Sequence, residues 1–147
     1  MKVALDTSIL VGFFLPDDLI HQLTKTVINR ILSNKIEYAC MSKINLIEMG
    51  YIIERATENQ DYAYNCMFSV QHDLTIDIID LTWDFMTSLA HLKAVNPISF
   101  CDNATLAAAH LTRSQALFSR EKEIVNRRFK RIKGPEIIFI EDFNFNL

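Results

Sequence analysis

Asp6, Glu48, Asp102 and Glu121 are far apart in the chain, yet their settings point to one task. Asp6 directly follows the apolar run Lys2 to Leu5, and Glu121 comes two residues after a second apolar run, Ala116 to Ser119. Asp102 lies in the first turn of a small-residue helix that begins at Ser99, and Glu48 has Ile44 one turn before it and Ile52 one turn after. That spacing sets a carboxylate among apolar side chains. Burying an unpaired carboxylate costs several kcal/mol or neutralises it, and a divalent cation relieves both problems. Mg²⁺ is typically held by one or two carboxylates, with waters and substrate phosphates completing the octahedron. Metal-assisted attack on a phosphate is the chemistry such a set would perform.

Each residue also has a purely structural explanation. Asp6 could cap the turn after the first strand, and Ser99-Phe100-Cys101-Asp102 fits a capping box. Glu121 could be a first-turn acid at the positive end of a helix dipole, and Lys43 or Arg55 could pair with Glu48. Ser8 and Ser119 could orient metal-bound water or act as caps. The coincidence of the four acids, more than any single one, carries the inference.

The elements that would position them alternate. Lys2 to Leu5, Ile36 to Met41, Thr75 to Leu81, Ala116 to Ser119 and Ile137 to Ile140 read as short apolar strands. Between them, helices are expected from Pro16 to about Ser33, Ser42 to about Ala56, Asn59 to Asp73, and Thr82 to before Pro97. Two more are expected over Ser99 to Leu111 and Glu121 to about Lys130. Short apolar strands alternating with helices imply an α/β fold: a parallel sheet covered on both faces, the whole of 1–147 forming one domain. In such sheets ligands bind at the carboxyl ends of the strands, where strand order reverses, and all four acids are expected at that edge.

Composition narrows the class. Half of the residues are hydrophobic and there are only three Gly and three Pro, which favours a compact, helix-rich chain over a disordered one. Cys40, Cys66 and Cys101 are scattered and lack Cys-x-x-Cys spacing, so they read as buried hydrophobes in a reducing cytoplasm. Asp6 interrupts the approach to the apolar stretch Ser8 to Leu15 and no small-residue cleavage site follows, so the expectation is a mature, soluble protein. The net charge of −3 is unevenly spread. Arg113 to Lys133 holds eight basic residues against two acidic ones, a local +6, while the remainder is −9. That stretch, including Arg120, Lys122, Arg127 and Arg128, reads either as a phosphate-binding edge or as a solvated helix face. Trp83 and the phenylalanines from Phe139 to Phe145 read as core and interface.

Val3-Ala4-Leu5-Asp6-Thr7-Ser8-Ile9-Leu10 resembles the opening strand and Asp-Thr-Asn/Ser turn of PIN domains. Ser99-Phe100-Cys101-Asp102-Asn103-Ala104 with Ala107-Ala108-Ala109 resembles their second acidic motif and its alanine-rich helix, and Leu117 to Glu123 is similar to their fourth motif. The resemblance implies a three-layer α/β/α fold with about five strands in the order 3-2-1-4-5, and Mg²⁺- or Mn²⁺-dependent cleavage of single-stranded or loop RNA. In the VapC-like branch it also implies a homodimer in the cytoplasm, inhibited by a small VapB-like antitoxin that occludes the acidic pocket. The family's acidic positions carry over to Asp6, Glu48, Asp102 and Glu121. Two positions depart from the pattern: Glu121 stands where Asp is usual, and Ser8 where Asn is frequent.

The expected mechanism has Asp6, Glu48 and Asp102 holding the metal while an activated water attacks the phosphodiester in line. Glu121 would bind a second ion or orient that water, and Arg120, Lys122, Arg127 and Arg128 would attract the RNA backbone. The alternative is a catalytically inactive module that keeps the fold and grips RNA or a protein. A haloacid-dehalogenase-type phosphatase would need a second Asp at the position of Ser8, and His21, His72, His91 and His110 show no pairing that would support metal-free cleavage.

Overall fold

Four short strands and a fifth close neighbour in space although they are scattered in sequence, as a computed structural model of the chain shows; it describes residues 1–120 and 132–143. The elements are β1 (Lys2–Leu5), α1 (Thr7–Phe14), α2 (His21–Leu32), β2 (Tyr38–Ser42), α3 (Lys43–Thr57) and α4 (Gln60–Gln71). They continue with β3 (Asp77–Ile79), α5 (Trp83–Val95), α6 (Phe100–Thr112), β4 (Gln115–Phe118), β5 (Ile137–Phe139) and a short 3₁₀ turn over Ile140–Asp142. The sheet has five strands in the order β3-β2-β1-β4-β5, and every pairing is parallel. The chain runs outward from β1 to β3 and then returns to β4, so the reversal of strand order falls between β1 and β4.

Side chains on a strand alternate between faces, and the two cores follow that alternation. Val3, Leu5, Ala39, Met41 and Leu117 point into one apolar cluster with residues of α1 to α4. Ala4, Cys40, Ala116 and Phe118 point into another, formed with Phe85, Leu89 and Leu92 of α5 and Ala104, Leu106, Ala107, Ala108 and Ala109 of α6. The result is helices on both faces of the sheet, the three-layer arrangement expected. The run of alanines lets α6 lie close against β1 and β2.

Several helix starts are where their capping residues put them. Ser42, Asn59, Thr82 and Ser99 each accept a hydrogen bond from the backbone N–H three residues on, opening α3, α4, α5 and α6.

The structure corrects the sequence reading at four places. Helix α1 was not expected: its run Thr-Ser-Ile-Leu-Val-Gly-Phe-Phe lacks a polar stripe because Thr7, Ile9, Leu10, Val11 and Gly12 are all buried. Helix α2 begins at His21 rather than Pro16, because Asp18 folds the preceding residues into turns: its Oδ1 accepts from Ile20 N–H at 3.0 Å and its carbonyl from His21 N–H at 3.0 Å. Strand β3 is cut to three residues by the turn at Asp73, whose Oδ1 accepts from Thr75 N–H at 2.7 Å. Trp83 is not core; it is 74% exposed at the start of α5, whose inward face carries Phe85, Leu89 and Leu92 instead. The expected helix over 121–130 lies outside the described residues. Among the described residues no helix is long and apolar enough to cross a membrane.

Candidate functional site

Asp6 occupies the first position after β1, and its backbone N–H donates to the Leu117 carbonyl of β4 at 3.0 Å. The carboxylate therefore stands at the carboxyl edge of the sheet, beside the point of reversal. It is fully buried. One oxygen, Oδ2, caps α1: it accepts from Ser8 N–H at 3.0 Å and from the Ser8 hydroxyl at 2.6 Å. The structural reading of Asp6 as a cap is thus correct as far as it goes. The other oxygen, Oδ1, faces α6 and accepts from the Thr105 hydroxyl at 3.2 Å.

Asp102 lies at the third position of α6, one turn before Thr105, and its N–H donates to the Ser99 cap at 3.0 Å. Its side chain is 7% exposed. Since α6 begins at this edge, and Thr105 touches Asp6, the two acids are carried by elements in direct contact.

A residue that the sequence reading passed over ties the third element to these two. Asn45, fully buried at the third position of α3, directs its amide nitrogen at the Thr7 hydroxyl (3.1 Å), the Cys101 carbonyl (3.1 Å) and the Thr105 hydroxyl (3.0 Å). The Cys101 carbonyl can only accept, which fixes the amide nitrogen on that side. The amide oxygen meanwhile accepts from the Ser42 hydroxyl. One amide thereby pins the starts of α1, α3 and α6 together. Its signal in the sequence is slight, an Asn three residues after a Ser cap, and nothing local shows that its partners lie 38 to 60 positions away.

Glu48 follows Asn45 by one turn on α3 and is partly buried. The two cations suggested as its counter-charges are engaged elsewhere: Lys43 is ion-paired with Asp80, and the Arg55 guanidinium lies 5.1 Å from the centre of the Tyr51 ring. Among the described residues no three His, Cys, Asp or Glu side chains converge on a single ready-made cation site. A hard cation such as Mg²⁺ does not need three, because one or two carboxylates suffice when waters and phosphate oxygens complete its shell. The donor set here, carboxylate oxygens with flanking hydroxyls, matches that preference for hard oxygen ligands.

Glu121, Lys122, Arg127 and Arg128 lie outside the described residues. Of the two auxiliary hydroxyls, that of Ser8 does sit on Asp6, whereas the Ser119 hydroxyl donates to Glu141 at 3.0 Å. Arg120 is held by the same turn, its N–H donating to both oxygens of Glu141 (3.0 and 3.2 Å) and its guanidinium paired with Asp142. Glu141 and Asp142 were missed because they belong to no motif; only the register of β5 beside β4 brings them to this edge.

Comparison with known proteins places this architecture. The model of the PIN domain family matches residues 3–133. No curated protein matches the sequence. Among solved structures, the chain is similar to VapBC2 from Rickettsia felis bound to a DNA fragment from its promoter, at 17% identity and a TM-score of 0.67, covering 95% of this chain and 98% of that one. DNA-bound VapBC from Salmonella typhimurium gives 16% identity and a TM-score of 0.67, with coverage of 95% and 98%. The Mycobacterium tuberculosis toxin VapC20, described as cleaving the sarcin-ricin loop, gives 17% and 0.65, with coverage of 78% and 86%.

Proposed function

The chain belongs to the PIN domain family, and from that premise we propose that it is a Mg²⁺- or Mn²⁺-dependent endoribonuclease, a VapC-like toxin acting in the cytoplasm. The observation that carries the proposal is the contact between Thr105 and Asp6. It brings the acid after β1 and the helix bearing Asp102 together at the reversal of strand order, where this class of sheet binds ligands.

In this reading Asp6 and Asp102, with Glu48 from α3 and Glu121 after β4, hold the cation. A cation held there would supply an activated water and offset negative charge on the phosphoryl oxygens. The protein's own part is placement. Thr105 and Ser8 hold the two oxygens of Asp6 in fixed directions, and Asn45 keeps the three helix starts from separating. A site fixed beforehand spends little of its binding energy on reorganisation. Arg120, Lys122, Arg127 and Arg128 would draw in the RNA backbone, an attraction that weakens steeply with salt.

The likeness to VapBC complexes supports a small VapB-like antitoxin as the protein partner, and a homodimer is proposed as the toxin's form on the family resemblance alone. The test is RNA cleavage by the full chain with Mg²⁺, Mn²⁺ or EDTA. Cleavage that requires the metal and disappears in EDTA supports the proposal; RNA left intact at every metal concentration, by folded protein, would overturn it in favour of an inactive RNA- or protein-binding module.

A further inference from the structure

Two of the donors at the carboxyl end of β4 are ones that nucleic-acid-binding proteins direct at phosphates, a hydroxyl and a backbone N–H, and an arginine guanidinium stands beside them. The hydroxyl is that of Ser119, whose side chain is almost completely buried, at 1% exposure. The N–H and the guanidinium both belong to Arg120, and the guanidinium lies 5.2 Å from the centre of the Phe139 ring, a cation–π contact that holds it in place. All three donors are occupied by carboxylates of the chain itself. Glu141 takes the hydroxyl and the N–H with both oxygens, and Asp142 takes the guanidinium.

We infer that this nest is a phosphate subsite, and that Glu141 and Asp142 fill it as internal stand-ins for the RNA backbone. The inference rests on the ribonuclease reading for the identity of its ligand. Its position supports that identity: Leu5 of β1 is in register with Leu117 of β4, so Ser119 follows the strand next to the one that Asp6 follows, the two strands being about 4.8 Å apart. A phosphate seated there would neighbour the one at the acidic rim.

The occupants are built to leave. The 3₁₀ turn is anchored by Ile140, which is fully buried, so the carboxylates can swing out while the backbone stays. The Arg120–Asp142 pair is about half exposed on each side, and exposed pairs of this kind contribute little. A phosphate, which matches the guanidinium fork and brings more charge, displaces them. The two acids therefore raise the threshold for RNA binding and exclude weak anions.

The test uses the full chain and two probes, inorganic phosphate and a short single-stranded 2′-O-methyl oligoribonucleotide, at low salt. Glu141→Gln with Asp142→Asn keeps acceptors for all three donors but removes two negative charges, and should tighten binding of both probes by roughly tenfold. Adding Arg120→Ala should abolish the gain. Asp142→Asn alone, at an exposed pair that cannot decide folding, should give roughly a twofold to threefold gain. Unchanged or weaker phosphate binding by these folded variants overturns the subsite. Tighter phosphate binding without oligonucleotide binding or RNA cleavage would leave the subsite standing and count against the ribonuclease reading.

Discussion

The Thr105 hydroxyl donates to Oδ1 of Asp6 at 3.2 Å, joining residues 99 positions apart in the chain. Thr105 also accepts from Asn45, so one hydroxyl links the acid after β1 to the helix after β2. Replacing Thr105 by Val keeps the shape and removes both functions. Denaturant titration should show a loss of about 1–3 kcal/mol, the cost of leaving a buried polar partner unsatisfied. RNA cleavage by the folded fraction should fall about 10-fold or more, as happens when the group orienting a metal ligand is lost. Full activity in Thr105→Val would show that this contact does not position Asp6 for catalysis.

Asp6 both caps α1 and is proposed to hold the cation, and one substitution separates the roles. Asn caps helices about as well as Asp, so Asp6→Asn should shift stability by less than about 1 kcal/mol while metal-dependent cleavage drops on the order of 100-fold. A variant that is equally stable and equally active would confine Asp6 to capping.

Asn45→Ala should be the most damaging single change at the site. It strips a buried donor from the Cys101 carbonyl and the Thr7 and Thr105 hydroxyls, and leaves the Ser42 hydroxyl without its acceptor. At about 1–3 kcal/mol for each unsatisfied group, partly offset by relaxation, a total loss near 3 kcal/mol is expected in the unfolding free energy measured by denaturant titration.

Burial pushes the Cys40 thiol up to about 11, with hydrogen bonds from Thr112 and Tyr38 opposing and the charge of Asp77 adding to the rise. Burial, with a hydrogen bond to Asp77, likewise raises the Tyr38 hydroxyl. In the unfolded chain the thiol ionises first, so between about pH 9 and 11 the unfolded state binds fewer protons than the folded one. The stabilising contribution is complete below pH 9 and is lost as pH rises through that window, by roughly 2–3 kcal/mol for the thiol. Unfolding free energies measured from pH 8 to 11 should fall accordingly, and Cys40→Ala should flatten the slope.

Gly12 faces α2 so closely that an added methyl would lie 2.9 Å from Ile20 Cγ1 and 3.0 Å from Thr24 Cγ2. Both neighbours are buried and branched at Cβ, so neither yields easily. Gly12→Ala gains about 1 kcal/mol in helix propensity but loses about 1–3 to overpacking. A net loss of about 1 kcal/mol is expected by thermal or chemical unfolding.

The strands, the helices α2 to α6 between them, and the helix starts at Ser42, Asn59, Thr82 and Ser99 follow from the sequence alone because each depends on residues a few positions apart. So does the edge on which Asp6 and Asp102 fall, since apolar runs and their polar ends mark the carboxyl termini of parallel strands. Helix α1 stayed hidden for the same reason: buried on most sides, it has no polar stripe for local periodicity to reveal. Only tertiary packing decided that Asn45 clasps α1 and α6, that Thr105 joins the neighbouring Ser8 in donating to Asp6, and that Ser119 and Arg120 turn to Glu141 and Asp142. These contacts join residues about 20 to 100 positions apart. They exist because sheet register and close packing of the alanine face of α6 bring those atoms together, and no short-range pattern encodes such a distance.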